Sequence, residues 1–141
     1  MPSDQKPIKR LPCVLACSGC SRAGELAHLT ARRLEKLGAA NMSRLAGVGG
    51  RVKSILNTIQ CAPELLMIDG CPLECGGNSL KLAGIARFQH LKLYEHGIRK
   101  YASEVNEKTV SRLAEVAAKR LSRSPDGPSE EMVRRIEQLV K

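Results

Sequence analysis

The sequence predicts an α/β fold: a small parallel sheet of about four strands, in the order 2-1-3-4, flanked by helices in a three-layer Rossmann-like or flavodoxin-like arrangement. Three observations predict it. Short apolar runs of strand length alternate with segments of helical periodicity along the whole chain. The run from Leu65 to Ile68 is unbroken, as in a strand covered on both faces. The intervals between apolar runs are long enough for the right-handed crossovers that parallel neighbours need.

Each element follows from a local pattern. Residues 11–17, LPCVLAC, form an apolar run entered through Pro12, whose missing donor is tolerated at a strand start. Over 25–37, Leu26, Leu29, Leu34 and Leu37 fall on one helical face, and Gly38 follows where a helix end favours glycine. A second strand is expected over 41–46. The LAGVGG stretch then reads as a turn, because Gly47, Gly49 and Gly50 break the pattern before a helix over 51–60. Pro63 separates that helix from the central strand, 64–69. GCPLECGGNS reads as a loop, with Asn78 or Ser79 capping a short helix over 80–86. Alternation of Leu91 and Leu93 with His90, Lys92 and Tyr94 gives a fourth strand over 89–95. Val110, Leu113, Val116, Ala117 and Leu121 mark a helix, and after the SPDGP turn Met132, Val133, Ile136, Leu139 and Val140 mark another. These last two have apolar faces that fit either the sheet or a partner.

A chain of 141 residues is the size of one domain. The expected division is a flexible segment over 1–10, a cysteine-rich α/β domain over 11–123, and an amphipathic C-terminal helix over 124–141. A hydrophobic fraction of 43% with 26% charged residues suits a soluble protein and offers no membrane span. The first ten residues lack the apolar stretch of a signal peptide, so a cytoplasmic location is expected. That location favours metal binding or thiol chemistry over disulfides for the 6 cysteines. The net charge of +9 fits a polyanion partner or simply a well-solvated surface. With only Phe88, Tyr94 and Tyr101 to stack on bases, nucleic acid ranks behind a metal ion and behind a protein partner met through the basic or C-terminal helices.

The cysteines carry the chemistry. Cys17 and Cys20 form CSGC after the first strand, and Cys71 and Cys75 form CPLEC after the third. In the order 2-1-3-4 those strands are neighbours, and the crevice at their carboxyl ends is the usual ligand site. Two closely spaced thiolate pairs suit tetrahedral zinc. Helix amino termini opening onto the same loops would stabilise thiolates for metal or redox use alike. The plainer reading is that some of these residues are small buried side chains. Cys13 and Cys61 take that reading: Cys13 lies roughly 13 Å back along an extended strand from Cys17, and Cys61 precedes the third strand, so both are expected in the core at the opposite edge.

Asp69 ends the third strand beside the CPLEC loop and is expected to organise that loop; orienting the thiolates or acting as a base are the alternatives. His28 is expected in solvent, and His90 at the far end of the fourth strand, away from the cysteines. His96, ending that strand on the cysteine side, is expected to be an exposed strand-end histidine; the alternatives are that it supports a ligand from behind, or takes the place of a missing Cys20 that water or substrate could equally fill.

ACSGCS, the LAGVGG turn and above all MIDGCPLEC resemble the DGC-domain proteins, regarded as zinc-binding proteins, over roughly residues 12–100. The resemblance implies metal binding by Cys17, Cys71 and Cys75 and implies no reaction. The chain departs from the family pattern in having Arg44 just before the LAG turn, where relatives often carry a cysteine, and in having Cys20. Cys20 is therefore the fourth ligand whose origin varies.

The leading expectation is a zinc-binding protein for metal handling or docking, its ion held by Cys17, Cys20, Cys71 and Cys75. Four sulfurs mark a structural site, three with an open position a reactive one. One alternative is a thiol oxidoreductase or sulfur-transfer enzyme with Cys17 as nucleophile and Cys20 as resolving thiol. The other is a basic adaptor for nucleic acid or an acidic partner.

Overall fold

The structure, a computed structural model, describes residues 10–17, 19–123 and 128–140. The expected division at 1–10 therefore lies almost wholly outside the described residues, as does most of the SPDGP turn. Among these residues four strands, β1 (Cys13–Ala16), β2 (Asn41–Met42), β3 (Leu65–Asp69) and β4 (Gln89–Lys92), form one parallel sheet in the order β2-β1-β3-β4. Among the described residues six helices flank them: α1 (Arg22–Lys36), α2 (Leu45–Gly49), α3 (Lys53–Cys61), α4 (Cys75–Leu82), α5 (Glu107–Ser122) and α6 (Glu130–Val140). This is the predicted three-layer α/β class.

Strand register sets the two faces. Cys13 pairs with Leu65 and Ala16 with Ile68, while Leu66 pairs with Gln89 and Asp69 with Lys92. Because side chains alternate along a strand, Val14, Leu66, Ile68 and Leu91 face α1 and α5, burying Leu26, Leu34, Leu113 and Leu121 against them. Cys13, Leu15, Leu65 and Met67 face the other way, against Val48, Ile59 and Leu80 of the shorter helices. Val133 and Ile136 of α6 join the first face, so the C-terminal helix packs on α5, where Lys119 also reaches Glu137 at 3.1 Å.

Several elements differ from expectation for identifiable reasons. α1 begins at Arg22, a turn before the apolar pattern, because the Ser21 hydroxyl accepts the Gly24 N–H at 3.1 Å and caps the helix there. β2 stops at Met42, and part of the expected LAGVGG turn is instead α2. A Cβ at Gly47 would lie 2.1 Å from the Ile55 side chain, so glycine is what allows α2 to sit against α3. β4 ends at Lys92, and Leu93–His96 form a 3-10 turn that keeps Leu93 buried without continuing the ladder. Cys61, expected in the core, is exposed at the end of α3, which buries only Ile59 fully.

Candidate metal-binding site

The carboxyl ends of β1 and β3 lie side by side, so the loops that follow them begin together. The Cys17 N–H donates to the Ile68 carbonyl at 3.0 Å, extending the ladder one step past β1. The Gly70 N–H in turn points at the Cys17 sulfur, 3.4 Å away. Gly70 is a packing requirement: a Cβ there would stand 2.5 Å from the Ala23 carbonyl carbon, so the amino terminus of α1 leans directly on the residue before Cys71. Ala23 also donates its N–H to the Lys100 carbonyl at 3.2 Å, tying α1 to the loop after β4.

Cys17 and Cys71 are half-buried, Cys20 and Cys75 exposed, and Cys13 buried in the core as expected. The Cys17 thiol is pushed up to about 11, chiefly by burial; the Gly70 N–H opposes that, while the nearby Asp69 carboxylate and the Cys71 and Cys75 side chains add to it. Those four groups thus share one electrostatic neighbourhood. Lys100 is raised by Tyr101 first and also, at longer range, by Cys71 and Cys20.

Asp69 is almost wholly buried, and its carboxylate oxygens accept the Gly76 and Gly77 N–H groups, each at 2.9 Å. These are free donors of the first turn of α4, whose amino terminus also favours a negative charge. α4 therefore starts at Cys75, not at the expected Leu80, and neither Asn78 nor Ser79 caps it: Ser79 Oγ donates to the Cys75 carbonyl and Asn78 to that of Leu73. The cap comes from the preceding strand. Cys75 thus sits in the first turn of a helix rather than within a free loop.

His90 corrects the sequence reading most sharply. Its Nε2 lies 2.6 Å from Asp69 Oδ2, and its Nδ1 lies 3.5 Å from Glu74, between the two loop cysteines. Expected far from the cysteine edge, it is a neighbour of the CPLEC loop, because its backbone pairs with Met67 only two residues before Asp69. The register of β3 against β4 was the missing signal. Lys92 holds the same Glu74 carboxylate at 3.0 Å and, as the first cause, keeps Glu74 below the usual carboxylate range. Glu74 itself has a left-handed backbone, φ 50°, uncommon for a non-glycine residue. His28 is exposed as expected, and His96 is half-buried with its carbonyl bound by Arg112 at 3.4 Å.

The donor set, thiols on two adjoining loops, matches zinc in chemistry. Their placement does not yet match in geometry: among the described residues no three His, Cys, Asp or Glu side chains are gathered closely enough to hold a metal ion. Zinc would therefore need the two loops to draw together. Among the described residues, no helix is long and apolar enough to cross a membrane.

The DGC domain family model matches residues 13–118. The chain is also 38% identical over 111 residues to the "Anaerobic and virulence modulator AnvM" of Pseudomonas aeruginosa, covering 78% of this chain and 85% of that protein. No solved structure matches.

Proposed function

The chain belongs to the DGC domain family, and from that premise we propose that it is a zinc-binding regulatory module in which Cys17, Cys71 and Cys75, with Cys20 as the fourth donor, take up the ion on loop closure. The observation that carries this reading is the meeting of the two cysteine loops at one sheet edge, where the Gly70 N–H reaches the Cys17 sulfur and Asp69, Cys71 and Cys75 lie near enough to influence it. A divalent cation takes the place of the protons the thiols give up and offsets the charge they then carry. When bound, zinc would fasten the loops as a structural ion, the role that four sulfurs suit. The chain's own residues do the rest: Asp69 fixes the turn bearing Cys75, and Gly70 lets the amino terminus of α1 pack against the residue before Cys71.

The related protein's description as a modulator favours a docking or regulatory role over an enzyme. An activated Cys17 nucleophile would need a lowered thiol pKa, and Cys17 is pushed in the opposite direction. The redox alternative is therefore the second reading, its nucleophile disfavoured by burial at Cys17.

Zinc titration of the full chain and its single variants tests the proposal. Wild type takes up one ion per chain, and because thiols release protons to the metal, affinity rises with pH. Cys71→Ser abolishes tight binding. Cys20→Ser separates four sulfur donors from three: binding weakens and the sphere opens. A Cys71→Ser protein that binds zinc like wild type would sink the claim that the loops act together.

A further inference from the structure

We propose that His90 is the positioning residue of the cysteine site, clamping the 71–75 loop and the first turn of α4 in one arrangement. The inference rests on the metal-site reading above and adds to it a residue outside every cysteine motif. His90 touches the loop at three points. Its Nε2 meets Asp69, which precedes Cys71 by two residues. Its Nδ1 faces Glu74, which precedes Cys75 by one. Its ring occupies the space a Cβ would fill at Gly77, only 2.6 Å from Cε1, so α4 rests directly on the imidazole.

The ring is itself fixed. Phe88 packs against it edge-on with centroids 5.5 Å apart, and Arg120 donates to its backbone carbonyl at 2.6 Å. The side chain is 15% exposed, so the ring is largely sheltered from water. Glu74 shows why a clamp is needed: its left-handed backbone costs energy in a residue with a Cβ, and the hold of Lys92 on its carboxylate, with the His90 ring beside it, offsets that cost. A loop held this way loses less freedom when its sulfurs take up a metal.

The test uses the full chain, with His90→Ala and the conservative His90→Gln. Amide hydrogen exchange of the zinc-free protein reads the clamp directly. In His90→Ala the Gly76 and Gly77 amides should exchange at least about tenfold faster while Leu15 in β1 is unchanged, and His90→Gln, which retains a donor near the Nε2 position, should recover protection. With zinc chloride as the probe, His90→Ala should bind about 10–100-fold more weakly at unchanged stoichiometry, with recovery in His90→Gln. Unchanged exchange at Gly76 and Gly77 in His90→Ala overturns the proposal. So does uniform acceleration that includes Leu15 and is not rescued by glutamine, which marks a merely structural residue. Should wild type take up no zinc, the metal reading falls and amide exchange alone decides the role of His90.

Discussion

A carboxylate withdrawn from water costs several kcal/mol unless its oxygens are paired, and Asp69, at 1% exposure, meets that cost through two helix N–H groups and an imidazole. Asp69→Ala leaves those donors without their acceptor, so we expect a loss of about 3 kcal/mol in urea denaturation, with zinc affinity falling alongside. Cys13 yields a prediction of a different kind. Burial pushes its thiol up from 9.0 to about 11. Below pH 9 the thiol stays protonated whether the chain is folded or unfolded, and its contribution is intact. Between pH 9 and 11 the unfolded chain ionises it and the folded chain does not, so stability falls as pH rises, by about 2 kcal/mol from this residue. Cys17 adds to the same trend. Denaturation midpoints measured across that window should show a shallower decline in Cys13→Ala than in wild type.

Among the elements, those with periodic apolar faces were readable in the sequence. β1, β3, α1 and α5 lie where alternation or helical spacing placed them, within a few residues. What escaped was set by contacts distant in sequence. The start of α4 depends on Asp69 reaching forward from β3, so a search for a local cap beside Leu80 was bound to place it late. α2 depends on the fit of Gly47 to Ile55, where glycine content alone suggests a turn. The α1 start was local yet hidden, because Ser21 precedes the first leucine of the stripe by several residues. Ser21→Ala should cost about 1 kcal/mol and lower the melting temperature by a few degrees. A larger effect on zinc affinity than on melting would mean that the cap also sets the path of the 17–20 loop.

In the molecule as a whole, the sheet order sets the loops after β1 and β3 side by side, and that much followed from strand alternation and the rule for crevices in parallel sheets. The contribution of β4 did not follow, because no single-strand pattern reveals which residues of a neighbour lie beside a loop. His90, Lys92 and Glu74 emerged only with the register. Metal uptake is expected to tighten the entire fold, since an ion that binds only the folded chain stabilises it by about 2.7 kcal/mol at one hundred times its dissociation constant. A melting curve unmoved by saturating zinc would argue against that coupling. The most direct measurement is zinc-edge X-ray absorption on protein purified without added metal, with zinc quantified per chain. The account predicts one zinc per chain surrounded by four sulfurs at about 2.3 Å. A zinc-free protein, or an ion held only by oxygen and nitrogen, would contradict it.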